Sequence, residues 1–169
     1  RQDTFLVFDS TLYGSAPSTA ATQADGYNTN YAATYYPWLQ VIDVDNKHRW
    51  IPPSAGAAEA YAFNDKISQP WFAPAGLNRG KINAVQTERK LLESQRNTLY
   101  KSNVNPIATF PGQGICVFGQ KTLQKKMSAL DRINVRRLLI KIKKFIASSS
   151  RFLLFEQNTP ALRKSFLNI

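Results

Sequence analysis

The chain has 169 residues and a mass of 19.0 kDa, with 22 Lys and Arg against 11 Asp and Glu. A chain of this length can bury a core that needs neither a disulfide nor a structural metal. Cys116 is the single cysteine and His48 the single histidine, so the sequence offers no disulfide and no Cys and His set for zinc. Its apolar stretches are far shorter than the roughly 20 residues of a membrane span. The composition therefore predicts no metal site and no membrane insertion.

The charge is divided unevenly along the chain. Residues 1–79 hold five basic and seven acidic residues, whereas residues 80–169 hold seventeen basic and four acidic ones. The hydrophobic share of 43% is too high for a disordered tail, so we expect the basic part to be a folded surface.

The first half of the chain predicts short elements in alternation. Residues 4–9 form an apolar run typical of a strand, and the Ser-, Gly- and Pro-rich residues 10–22 favour a loop. Tyr27, Tyr31 and Tyr35 recur at helical spacing, which predicts a short helix over 28–36 that Pro37 ends. Further on, the patterns predict a hairpin from 38–43 and 49–51, an alanine-rich helix over 54–66 and an irregular segment over 69–80.

The second half predicts a helix over 93–102, then strands over 107–110 and 115–118 around a tight turn. A long helix is expected over 129–149, with its apolar residues on a core-facing stripe and its polar residues on the opposite face. A strand over 152–155 and a helix with Pro160 in its first turn follow. The predicted stripe comprises Val135, Leu138, Ile142, Phe145, Ile146 and Ser149, and the opposite face comprises Asn134, Arg137, Lys141, Lys144 and Ser148. Because strands and helices interleave, we predict an α/β fold: a mixed β-sheet flanked by helices, in a sandwich.

Motifs for catalysis are weak. Residues 114–122 resemble a phosphate-binding loop, but Gln120 separates Gly119 from Lys121 and the residues between the glycines are typical of a strand. His48 lies between Lys47 and Arg49, which favours an exposed imidazole, and Cys116 has apolar neighbours typical of a core thiol. No spacing selects a pair of carboxylates. We therefore expect no catalytic residues, and the chain is not predicted to be an enzyme.

The basic helix has three interpretations. Its cations could be solvated, could contact an acidic protein surface, or could bind nucleic acid. Aromatic residues that would stack on bases are not interleaved with these cations, which weighs against nucleic acid. A basic nucleic-acid-binding domain is kept as the alternative function.

Five blocks, in order along the chain, carry a resemblance to a known family. They are WFAPAGLNRG (71–80), QRNTLY (95–100), NPIATFPGQGICVFGQKTLQ (105–124), SALDRINVRRLL (128–139) and FEQNTPALRKSF (155–166), preceded by YYPWLQVID (35–43) and WIPPSAGAAEAYAFND (50–65). Together they resemble the tail sheath proteins of contractile-tailed (myovirus-type) bacteriophages.

The resemblance implies a structural subunit of the virion. Subunits of that family are assembled in the host cytoplasm, stack as hexameric rings around a tail tube, and contract after a baseplate trigger to drive the tube through the host envelope. It also implies an α/β domain whose terminal arms add strands to neighbouring subunits. The expected partners are thus other sheath subunits, the tail tube protein and the baseplate, and the resemblance implies no cofactor and no small-molecule substrate.

The sequence differs from the family pattern at its ends. It lacks an initiator Met, opens on a predicted strand and closes on a predicted helix, so we interpret residues 1–169 as one sheath α/β domain without terminal arms, a piece of a longer chain. We also predict that a cationic helix face meets an acidic tube or neighbouring subunit. The predicted contact residues are Arg137, Lys141, Lys144, Arg163 and Lys164.

Overall fold

The computed structural model describes residues 4–168, which form thirteen regular elements. In chain order these are β1 (Leu6–Phe8), α1 (Pro17–Ala24), β2 (Ala32–Tyr36), β3 (Leu39–Ile42), β4 (His48–Ile51), α2 (Pro53–Ile67), β5 (Lys81–Ile82), β6 (Gln86–Thr87), α3 (Glu93–Lys101), β7 (Val104–Phe110), β8 (Gly114–Val117), α4 (Ile133–Ser149) and α5 (Pro160–Leu167). Short 3-10 turns at Ala129–Asp131 and Arg151–Leu153 precede α4 and follow it.

A five-stranded mixed sheet forms the centre of the fold, in the order β1-β2-β7-β8-β5. The first three strands are parallel, and β8 pairs antiparallel with both β7 and β5. A separate antiparallel sheet has the order β4-β3-β6. All five residues of β2 are buried, as expected of a strand covered on both faces.

Helices cover both faces of the central sheet. On one face α2 packs Ala57 and Ala60 against the sheet, and Ile133 of α4 joins the same core cluster. On the other face α1 and α3 contribute Ala20 and Leu99 to a second cluster. The arrangement confirms the predicted α/β class, with a mixed sheet between helical layers.

The start of α2 shows how a strand end and a helix end support one another. The helix begins at Pro53, where a residue without an N–H leaves no orphan donor. The Asp9 carboxylate, just after β1, accepts hydrogen bonds from the Ser54 N–H at 2.8 Å and from the Ser54 hydroxyl at 2.6 Å. It thus caps the positive end of the helix and fixes α2 across the sheet.

Four sequence predictions were wrong in part or in whole. Residues 32–36 form strand β2 and not a helix, because a strand buried on both faces shows no alternation that distinguishes it from an apolar helix. The predicted loop over 10–22 contains most of α1. The long helix is interrupted at Arg132, whose backbone is extended, so α4 begins at Ile133. Residues 152–155 form no strand, since a 3-10 turn occupies Arg151–Leu153.

Other predictions were confirmed. The hairpin, the helices α2 and α3, and strands β7 and β8 lie within a few residues of their expected positions. Thr159 caps α5, its hydroxyl accepting the Leu162 N–H at 3.3 Å, and Pro160 opens that helix. Cys116 is buried in β8, and the strand uses its backbone groups to pair with its neighbours, so no phosphate cradle forms at 114–117. Within residues 4–168, no helix is long and apolar enough to cross a membrane.

Candidate partner-binding site

Three of the five predicted contact residues line one groove. It lies between α2 and α4, has a volume of about 420 Å³, and is open to solvent. Its basic side comes from α4 and its apolar floor includes Phe5 and Ile140. We call it the basic groove; its lining residues are Thr4, Phe5, Asp65, Pro70, Arg137, Ile140, Lys141 and Lys144.

The Arg137 side chain is largely buried and contacts residues of α2. Its guanidinium pairs with the Asp65 carboxylate of α2 at 2.5 Å, and it lies 4.8 Å from the centroid of the Tyr61 ring. Only 14% of its side chain is exposed. Arg137 therefore fastens α4 to α2, a role that its place in a helical pattern did not indicate, because Asp65 and Tyr61 lie more than seventy residues earlier in the sequence.

Lys141 and Lys144 are the cations that the groove offers to solvent. Both are exposed and neither forms an ion pair with an acidic residue among residues 4–168. The Lys141 ammonium lies 5.8 Å from the Trp71 ring centroid, and the Asn134 amide donates to the Trp71 carbonyl at 3.2 Å. The loop that contains Trp71 therefore lies against α4 beside Lys141.

The remaining basic residues lie elsewhere. Arg163 and Lys164 are on α5, and neither lines the basic groove; the Arg163 Nε donates to the Asn158 side chain at 2.8 Å. Arg136 is only 4% exposed, and its guanidinium lies 4.1 Å from the centroid of the Tyr31 ring. A cation this deeply buried serves the packing of α4 and cannot contact a partner.

The predicted two-faced pattern of α4 was wrong in part, although Lys141, Lys144 and Ser148 are exposed as expected. Ile133, Arg136 and Ile140 are the buried residues, whereas Ile142, Phe145 and Ile146 of the expected core stripe are 40–57% exposed. The helix packs along its first two turns only, and every residue from 141 to 148 is exposed. The distal half of α4 thus projects from the domain with both lysines and apolar side chains in solvent.

Buried Tyr35 and partly buried Tyr61 lie beside Arg137. The Tyr35 and Tyr61 hydroxyls are 2.5 Å apart. Burial raises the pKa of both hydroxyls well above the ordinary value, and Arg137 opposes this shift. Burial also raises the pKa of Tyr36 to about 12.

We expect these tyrosines to make the fold sensitive to alkali. An unfolded chain would release their protons near pH 10, but the folded chain keeps them, so the free energy of unfolding should decrease as the pH rises from about 10 to 12. Each retained proton adds a slope of up to about 1.4 kcal/mol per pH unit. Urea unfolding at several pH values measures the slope. The Tyr61→Phe variant should show a shallower slope, and an equal slope in both proteins would contradict this explanation.

Comparison with known proteins places this geometry in a family. Residues 2–123 match the family described as phage tail sheath protein central domain. The chain is 39% identical over 146 residues to the tail sheath protein of Vibrio phage KVP40 and 38% identical over 157 residues to that of Enterobacteria phage T4. These matches cover 82% and 88% of this chain but 22% and 23% of the relatives, so the chain spans about a fifth of their length.

Solved structures extend the similarity beyond residue 123, into the part of the chain that contains α4. The sheath complex of an extracellular contractile injection system, PVC, in its contracted state matches with a TM-score of 0.79 at 28% identity, over 95% of this chain and 44% of that one. The helical sheath of the anti-feeding prophage in its contracted state matches with a TM-score of 0.75 at 26% identity, over 97% and 44%. On the family match, the identities and the shared fold, the chain belongs to the phage tail sheath protein family.

Proposed function

We propose that this chain is part of a structural subunit of a contractile phage tail sheath. Such a subunit polymerises around the tail tube and, on contraction, drives the tube through the host envelope. The observation that carries the proposal is the 38–39% identity to curated tail sheath proteins over most of this chain. Contraction is driven by contacts between subunits that can pack in two arrangements, and no covalent bond needs to be made or broken.

The partners follow from that role. The subunit contacts other sheath subunits, the baseplate and the tail tube in the virion tail, after assembly in the host cytoplasm. One structural match is a baseplate of the anti-feeding prophage, which supports the baseplate contact. Electron microscopy of the full-length gene product expressed alone tests the proposal: ribbed hollow cylinders are expected, and a protein that stays monomeric under all conditions would contradict it.

The basic groove supplies the contact with an acidic protein partner. Lys141 and Lys144 place two unpaired ammonium groups along the groove, with that of Lys141 near the Trp71 ring, and the ion pair of Arg137 with Asp65 fastens α4 to α2. Electrostatic complementarity of this kind sets the orientation in which two proteins bind and the rate at which they associate. Arg163 and Lys164 lie on α5, outside the groove, and are proposed as a separate cationic contact.

Reversing both groove charges should weaken assembly on the tube. The double variant Lys141→Glu, Lys144→Glu is expected to lower sheath-on-tube affinity by about tenfold or more and to reverse its salt dependence. The matched control is Lys90→Glu, Lys126→Glu, which changes the net charge equally at exposed sites outside the groove. Cosedimentation with preformed tubes at low and high salt measures the affinity and its salt dependence. Equal binding by the two double variants would exclude the groove as the contact.

Nucleic-acid binding is the alternative function, and it has a distinct signature. Phosphate contacts make affinity fall steeply between 50 and 200 mM salt. We expect no specific affinity of the chain for duplex DNA by fluorescence anisotropy at either salt concentration. A tight and strongly salt-dependent affinity would favour the alternative.

A further inference from the structure

A fully exposed aromatic residue stands at the turn between the two C-terminal helices. Phe155 is 105% exposed, and its backbone has φ of 68°, in the left-handed region that non-glycine residues seldom adopt. The turn thus accepts backbone strain and holds the ring in water, where it gains nothing from burial. Backbone strain of this kind clusters at functional sites, and aromatic anchors dominate the binding energy of interfaces.

The residues on either side of Phe155 are apolar on one side and acidic on the other. Leu154 is 64% exposed, and Glu156 follows Phe155 directly. Residues 132–168 hold nine basic residues, and Glu156 is their only acidic one. We call residues 154–156 the aromatic tip: an apolar projection with one negative charge, at the end of a helical segment that extends from the domain.

A groove of matching character lies on the other side of α2 from the basic groove. It has a volume of about 620 Å³ between α2 and the edge strand β5. Its surface is mostly apolar, formed by Phe63, Ile82, Ile115 and two alanines. We call it the apolar groove; it is lined by Glu59, Ala62, Phe63, Lys66, Lys81, Ile82, Asn83, Ala84, Gly114 and Ile115.

The rim of the apolar groove has unpaired positive charge. The Glu59 carboxylate accepts a hydrogen bond from the Asn83 N–H at 3.2 Å, so this backbone donor, directly after edge strand β5, has a partner. Lys66 and Lys81 are exposed, and neither has an acidic partner within residues 4–168. With two ammonium groups and one hydrogen-bonded carboxylate, the apolar groove has a net positive charge, which suits a ligand that presents an aromatic ring beside a carboxylate.

We infer that the aromatic tip of one copy docks into the apolar groove of a second copy. Phe155 fills the cavity, and Glu156 lies between Lys66 and Lys81. The tip does not occupy the groove of its own chain, in which Phe155 is solvated. Because tip and groove are different patches, the contact is heterologous and links copies head to tail. It goes beyond the proposed function, which assigns no contact to either patch.

The concentration dependence of molecular mass tests the inference on the 169-residue chain. Analytical ultracentrifugation should show self-association whose constant falls about thirtyfold or more in Phe155→Ala, as for an aromatic anchor. Leu12→Ala is the matched control, because Leu12 is 80% exposed and lies in neither patch; it should associate as the parent chain does. Ala62→Arg, an exposed helix substitution that fills the groove, should weaken association as Phe155→Ala does.

Charge exchange and crosslinking identify the contact. Glu156→Lys should weaken association, and adding Lys66→Glu and Lys81→Glu should restore it. When Phe155→Cys and Ala62→Cys chains are mixed, oxidation should yield the mixed disulfide dimer, while the buried Cys116 stays reduced. A parent chain that stays monomeric, a Phe155→Ala chain that associates normally, or an absent mixed dimer would each overturn the inference. None of these results would affect the sheath assignment, which rests on family similarity.

Discussion

Replacing Asn105 by alanine is expected to lower the free energy of unfolding by about 4 kcal/mol, since several buried polar groups would lose their partners together. Asn105 lies on β7 and is 0% exposed. Its side-chain amide donates to the Thr34 carbonyl at 3.2 Å and to the Lys121 carbonyl at 2.8 Å, and its oxygen accepts the Lys121 N–H at 2.6 Å. One side chain thus joins β2, β7 and the segment that leads to α4.

Guanidinium unfolding followed by circular dichroism measures this loss. The matched control is Asn97→Ala, an exposed position on α3 where alanine should change stability by less than about 0.5 kcal/mol. A loss below about 1 kcal/mol in Asn105→Ala would show that water replaces the three bonds.

The near-isosteric Asn105→Asp variant separates hydrogen bonding from packing. The introduced carboxylate would face two carbonyl oxygens and accept where the amide donates, so burial should raise its pKa above the unfolded value. A raised folded-state pKa means that stability is lost as the pH rises. We therefore expect the variant to be less stable at pH 7 than at pH 4, relative to the parent chain at the same pH values.

Sequence patterns predicted those elements whose local signals agree with their final environment. Helix α2 has an alanine-rich face that packs on the sheet, and β7 and β8 are separated by the turn that Gly112 and Gly114 permit with φ of 73° and 91°. Strand β2 was missed because burial on both faces removes the alternation on which strand prediction depends. The two-residue strands β5 and β6 exist only through pairing with distant partners, which no local pattern encodes.

The candidate site was predictable in composition but not in geometry. The charges of Lys141 and Lys144 are visible in the sequence, and the structure places both in one groove. The ion pair of Arg137 with Asp65 and the burial of Arg136 against Tyr31 depend on how α4 packs on the rest of the fold. Helical periodicity gives the relative orientation of side chains around an axis, but it does not say how many turns of the helix touch the core. That is why the apolar residues of the distal half were assigned to the wrong environment.

The second large effect is expected at Gly80, where the backbone leaves no room for a side chain. A Cβ atom there would lie 2.6 Å from the Ala75 Cα, 2.8 Å from the Ala75 carbonyl carbon and 2.9 Å from the Gly76 nitrogen. These are backbone atoms, and they are fixed by hydrogen bonds: Gly80 N–H to Gly76 carbonyl, Gly76 N–H to Val117 carbonyl and Val117 N–H to Gly80 carbonyl, each at 2.8 Å. Gly80→Ala must therefore displace the loop or break its bonds to β8, at a cost of about 3 kcal/mol.

The matched control for Gly80→Ala is Gly112→Ala. Gly112 has φ of 73°, and a Cβ atom added there would meet no other atom within 4 Å, so alanine adds only the strain of a left-handed residue, about 1 kcal/mol. A loss at Gly80 no larger than that at Gly112 would show that the loop moves aside for the added Cβ atom without losing its hydrogen bonds. The collision also has a functional consequence, because residues 69–80 hold Trp71 against Lys141 and lead directly into β5. Hydrogen exchange should report faster exchange of the Gly76 and Val117 amides in Gly80→Ala, and both the basic and the apolar groove should lose partner binding with it.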